Sequence, residues 1–171
     1  MKNNFVVVGT VGSGRLYEDE ERKDLFFFHM YVYVAPSTKK RVRVYLKKET
    51  KISNMKDKIV KCVGHIEGKD KTDTGKMYMI ADTVRLVMPT KFENTVDIEG
   101  LIAMRPFYSV KDGKGLCMLL IKAGSELLHC SITGERYDEM VSCYTSKNEV
   151  AIKLHADANR KGGKTCLELT Q

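Results

Sequence analysis

Alternation with a period of two runs through this chain almost from end to end. Apolar and polar side chains exchange near 4–17, 24–35, 41–48, 59–68, 76–88, 95–108, 115–124, 127–133, 148–157 and 164–170. Successive side chains of a strand point to opposite faces, so this pattern predicts strands, the more so where β-branched and aromatic residues fill it. One good helix candidate interrupts it, Gly134-Glu-Arg-Tyr-Asp-Glu-Met-Val-Ser-Cys-Tyr144. A shorter piece at 52–58 offers Ser53 as an N-cap. The expected fold class is all-β.

The strands fall into two sets of five that resemble each other. Val60-Lys-Cys-Val-Gly-His65 can be laid on Val150-Ala-Ile-Lys-Leu-His155, about 90 residues on. Each is followed by a polar loop and a Gly-Lys pair opening the next strand, Gly75-Lys76 and Gly163-Lys164. Gly9 and Gly100 occupy similar places in the two first strands. Residues 88–95, with Pro89 ending the first half, read as the linker. Five strands with a helix between the third and fourth describe an OB-fold, a small Greek-key barrel. The expectation is two tandem five-stranded OB barrels, 1–90 and 91–171, with a short helix between strands 3 and 4 of the second.

Strands two and three of the first set have one sharply sorted pair of faces. Phe26, Phe28, Met30, Val32 and Val34 with Val42, Val44 and Leu46 make a wholly apolar set, suited to a core. Leu25, Phe27, His29, Tyr31 and Tyr33 with Arg41, Arg43, Tyr45 and Lys47 make the other. Aromatics interleaved with cations are what a surface needs to stack bases and neutralise phosphates. From Lys39 to Lys48 six of ten residues are cations, so Lys39 and Lys40 extend that surface as a basic fingertip. Lys69 and Lys71, in the loop between strands four and five, lie where OB-folds grip a nucleic-acid backbone. The competing readings are that the tyrosines are cross-strand packing pairs and that edge cations guard against aggregation.

The charge distribution agrees with a binding first half. Residues 1–90 hold 18 Lys and Arg against 11 Asp and Glu, whereas 91–171 hold 11 of each. All the excess positive charge of the chain, +7, therefore lies in the first half. The second half repeats the strand pattern without the chemistry. Leu116-Cys-Met-Leu-Leu-Ile-Lys-Ala123 is apolar on both faces, and 127–133 has no cation or large aromatic. A strand apolar on both faces must be covered on both, so packing against the first barrel or another subunit is expected.

With these residues in place, the chain resembles the bacterial and phage single-stranded DNA-binding proteins. Asn4-Phe-Val-Val-Val-Gly9, followed by Arg15-Leu16 and an acidic stretch, is similar to their first strand. Val60-Lys-Cys-Val-Gly64, the loop Lys69-Asp-Lys-Thr-Asp-Thr-Gly75 and the strand from Lys76 resemble their fourth and fifth. The resemblance implies single-stranded DNA as partner and a homodimer, since tandem-OB members commonly reach four barrels as dimers. It departs from the family at its end: Cys166-Leu-Glu-Leu-Thr-Gln171 reads as strand, where the family carries a glycine-rich segment and an acidic tip that recruits partners. There is no tryptophan, so stacking must use Phe, Tyr or His.

Other chemistries find little support. Gly9-Thr-Val-Gly-Ser-Gly-Arg15 has the glycines of a phosphate loop but neither its lysine nor its hydroxyl. No catalytic Ser/His/Asp, Cys/His or carboxylate arrangement stands out, so no enzyme, cofactor or small-molecule substrate is expected. The five cysteines are scattered and make no CxxC pair, which argues against disulfides. Cys62 and His65 are spaced C-x-x-H, but structural zinc ligands come as two tight pairs, so no metal site is expected. His65, His129 and His155 read as structural, and Glu18-Asp-Glu-Glu21 as a solvated loop. No run suits a membrane span and no signal peptide is evident, so the expected setting is cytoplasmic or nucleoid-associated. The expected function is low-specificity binding of single-stranded DNA in replication, recombination or plasmid/phage transfer. RNA binding by the same surface and a protein–protein interaction module are the alternatives.

Overall fold

The computed structural model describes residues 2–35, 38–68, 77–88, 94–111, 114–133, 149–161 and 164–170. Among the described residues there are eleven strands and one 3-10 turn: β1 (Asn3–Val11), β2 (Tyr17–Glu18), β3 (Phe26–Ala35), β4 (Thr38–Leu46), the turn Ser53–Met55, β5 (Ile59–Gly68), β6 (Met77–Leu86), β7 (Asn94–Lys111), β8 (Lys114–Ala123), β9 (Glu126–Thr133), β10 (Glu149–Lys161) and β11 (Lys164–Thr170). The chain is all-β as its alternation requires. The expected helix at 134–144 lies outside the described residues. Ser53 is not a cap: it is the first residue of its turn, Ile52 precedes it, and no side chain bonds the turn's start.

The chain divides into two compact units, one of residues 4–66 and 78–95, the other of 1–3, 67–77 and 96–171. In the first unit β1 pairs with β3 and β5, β3 with β4, β4 with β6, and β6 with β5. That ring is a closed five-stranded barrel in the order of an OB-fold. β1 runs antiparallel to β3 and to β5, and β3 antiparallel to β4, whereas β4 and β6 run parallel with Tyr45 opposite Ile80.

The core of this barrel is the apolar set of the sequence. Phe28, Met30, Val32, Val42, Val44 and Leu46 are buried, as are Phe5, Val7, Val11, Val60 and Cys62 on β1 and β5, and the Cys62 thiol lies 3.4 Å from the Met30 sulfur. Phe26, at the strand's start, is only half-buried. Full burial of one such side chain contributes about 1.5–3 kcal/mol. Phe28→Ala, which would leave a cavity as well, would cost about 3–5 kcal/mol.

The first strand ends earlier than its alternation suggests, at Val11 and not at residue 17. Gly14 adopts a positive φ of 68°, which only glycine takes readily, and the backbone turns away. The chain then returns as β2 against the edge of β3, with Tyr17 opposite Phe27.

In the second unit β7 pairs with β8 and β10, β8 with β9, β9 with β11, and β11 with β10. The pairing order is that of the first unit, and here too the third and fifth strands are parallel, with Leu167 opposite Cys130. The two glycines singled out by the internal repeat do the same work. A Cβ on Gly9 would lie 2.5 Å from the Tyr31 carbonyl oxygen, and one on Gly100 would lie 2.4 Å from that of Lys122. At each place the first strand approaches the second too closely for a side chain. Among the described side chains of this unit Val96, Ile98, Leu119, Ile121, Ala123, Leu128 and Cys130 are buried, while Leu101, Phe107 and Met118 are exposed.

Candidate nucleic-acid interface

Directly opposed residues on neighbouring strands share a face. The register of β3 and β4 sets Phe27 opposite Tyr45, His29 opposite Arg43, Tyr31 opposite Arg41 and Tyr33 opposite Lys39. The sorted outer face of the sequence is therefore a real row of pairs. Lys40 stands opposite Val32, a core residue, so its position belongs to the inner-face set at the barrel's end and not to this row. The side chain of Tyr33, and Lys69 and Lys71 altogether, lie outside what the structure describes.

The row is divided by burial. At one end Leu25, Phe27, Tyr45, Tyr78 and Ile80 form a second small core on the outside of the barrel. Tyr45 is 1% exposed and Phe27 8%, so neither ring presents an open face to a base. Tyr45 packs edge-on against Tyr78 at 4.9 Å between centroids, and tilted against Phe27 at 5.6 Å. At the other end Tyr31 is 39% exposed. Arg41 and Lys39 at that end are exposed, as is Lys47 beyond Tyr45, and His29 and Arg43 are half-buried between the two ends.

A strap of residues 17–25 belongs to this outer core. Asp19, read from the sequence as part of a solvated acidic run, is instead buried. Its Oδ1 accepts hydrogen bonds from the backbone N–H groups of Glu21 (3.0 Å) and Arg22 (2.9 Å), which explains why a carboxylate tolerates burial. Its own N–H donates to the Leu25 carbonyl at 2.9 Å. These bonds fold the strap into a tight turn. Glu18, Glu20 and Glu21 remain exposed. The Arg22 guanidinium lies 5.4 Å from the Tyr78 ring centroid and also bonds Asp24. That hydrogen bond holds the Asp24 carboxyl below its usual range.

The strap adds a residue that the sequence reading missed. Tyr17 lies on Phe27 with centroids 5.4 Å apart and planes 24° apart, and is 38% exposed. His29 touches both rings, at 5.7 and 5.5 Å. The Arg43 guanidinium carbon lies 4.5 Å from the Phe27 ring centroid, in cation–π contact. Its buried Nε has no hydrogen-bond partner among the described residues. The accessible surface thus runs from Tyr17 across His29 and Arg43 to Tyr31 and Arg41. Tyr17 keeps the alternation with Arg15, but the acids that follow it hide that signal.

The remaining candidates are quiet. Cys62 and Cys130 are free thiols in the cores, and burial pushes each up to about 12. His65 Nδ1 lies 3.0 Å from Asp82 Oδ2. Among the described residues no cluster of His, Cys, Asp and Glu has the makings of a metal site.

No family model and no curated protein matches the sequence. The fold does match solved structures. A single-stranded DNA-binding protein from Thermus aquaticus superposes with a TM-score of 0.60 over 98% of this chain and 89% of its own, at 12% identity. At that identity the likeness is one of fold, and it spans both units. A replication protein A heterotrimer bound to single-stranded DNA aligns over 99% of this chain and 47% of its own, at 9% identity and a TM-score of 0.33.

Proposed function

We infer that this chain binds single-stranded DNA with little sequence preference, on the outer face of β3 and β4. The observation that carries the reading is the pair of half-open tyrosines, Tyr17 and Tyr31, set on one barrel face with Arg41 and Arg43. Stacking on an aromatic ring is worth about 1–3 kcal/mol per base and accepts any base. The cations supply phosphate contacts whose affinity falls with salt. Neither device reads sequence. The solved structure of like fold, named as a single-stranded DNA-binding protein, supports the same reading.

The further expectations follow from it. Residues 1–90 carry the nucleic acid as a basic OB-fold, and 91–171 serve packing or oligomerisation as a neutral one. The exposed Leu101, Phe107 and Met118 support a homodimer, since apolar side chains grouped on one sheet are better covered by a second copy than by water. The setting is DNA replication, recombination or plasmid/phage transfer, in the cytoplasm or on the nucleoid.

Titration of a fluorescein-labelled oligo-dT with the full chain at low and moderate salt tests the central claim. Micromolar or tighter binding that weakens with salt is expected, and no binding at low salt overturns it. Competition with an RNA oligonucleotide of matched sequence separates DNA from RNA preference, through the 2′-hydroxyl.

A further inference from the structure

Outside the tyrosine surface, the first unit has a cleft where β4 ends. β4 and β6 are paired with Tyr45 opposite Ile80. Next to that pair lies a cleft of about 360 Å³, lined on one side by Leu46, Lys47 and Lys48 and on the other by Ile80, Ala81, Asp82 and Val84. Met55, carried there by the 3-10 turn, and Thr50 complete it. Ile80 and Ala81 are buried, so the cleft has an apolar base, while Lys47 and Lys48 are exposed.

We propose that this cleft takes one unstacked base of the bound strand, with the flanking phosphates on Lys47 and Lys48. The inference rests on the proposed function and extends it by a subsite. Three observations carry it. The outer row of β4 runs Lys39, Arg41, Arg43, Tyr45, and Lys47 follows just past the strand's end, so a backbone that follows these cations arrives at the cleft. Tyr45 is covered, so a base has no ring to stack on along that stretch and the next apolar contact available is the cleft. Charge then orients the nucleotide. The two lysines attract phosphate, whereas Asp82, whose Oδ2 already meets His65 Nδ1, repels it from the opposite lip. The backbone is therefore held on the β4 side with the base turned inward over Ala81, Val84 and Met55. An apolar slot with a cation at its edge matches a base, whose faces are apolar and whose attachment is anionic.

The chain has no tryptophan, which makes the test direct. Thr50→Trp places a single indole at the exposed lip of the cleft. Binding of a labelled oligo-dT is followed by anisotropy while tryptophan emission is read in the same titration. Quenching that saturates together with the anisotropy is expected. Full binding with unchanged emission overturns the subsite and leaves the proposed function standing. If the unmodified chain gives no anisotropy change, the proposed function itself fails. Should Thr50→Trp not fold, Lys48→Ala decides: several-fold weaker binding and a salt slope reduced by about one are expected. Affinity and slope equal to those of the unmodified chain overturn the subsite.

Discussion

The ring of Tyr17 lies flat against the ring of Phe27, with 5.4 Å between centroids and 24° between planes. One of the two is buried and the other is 38% exposed. The strap thus covers one aromatic of the β3 row and offers another in its place, one layer further out.

Tyr31 and Tyr45, on neighbouring strands, separate function from stability. Tyr31→Ala removes a half-open ring and should weaken oligonucleotide binding by about 1–3 kcal/mol with the fold intact. Tyr45→Ala empties a buried site and should cost about 3–5 kcal/mol of stability, on the scale of other large aromatics. Paired titrations and thermal melts of both variants check this. Equal stability loss in the two would mean that the burial difference has no energetic weight.

Tyr17→Ala should weaken binding as Tyr31→Ala does and also uncover Phe27. Loss of affinity together with a modest fall in Tm is the expected pair of results. Affinity identical to that of the unmodified chain would remove Tyr17 from the binding surface.

Arg43→Ala should flatten the dependence of log affinity on log salt by roughly 0.7–1, the value for one phosphate contact. It also removes the guanidinium over Phe27, a contact worth about 0.5–2 kcal/mol. Measuring affinity at four salt concentrations, alongside denaturant unfolding, separates the two effects.

Asp19→Ala deletes the acceptor that shapes the strap. Loss of such a local bond costs about 1 kcal/mol, and more where the released N–H groups stay buried. Backbone amide exchange at Leu25, whose N–H donates to the Arg22 carbonyl, should quicken more than exchange within the barrel core.

The buried thiols predict an alkaline effect. Cys62 and Cys130 have pKa values raised by burial from 9.0 to about 12, so the folded chain holds protons that the unfolded chain releases. This contribution to stability is complete below pH 9 and declines as pH rises from there toward 12. Both thiols should also resist alkylation at pH 8 in the native state and react on unfolding. Denaturant midpoints from pH 7 to 10.5 and mass-spectrometric labelling test the pair of claims.

Much of this protein was legible in its residues. The alternation of Phe28, Met30 and Val32 against Phe27, His29 and Tyr31 determined which face of β3 looks inward, because a strand offers only two faces and water rejects one of them. The glycines at 9 and 100 determined where the first strand of each unit could approach its neighbour. The aromatic and cationic composition of the outer face was also plain. What local pattern could not determine was which of those outer side chains stay open to solvent. That was decided by contacts made far along the chain: the strap folded by Asp19, and Tyr78 and Ile80 arriving on β6. Alternation assigns a side chain to a face, but its exposure depends on what else packs onto that face. For Tyr45 and Tyr31, two residues of equal promise in the sequence, only the tertiary structure decided which became core and which remained surface.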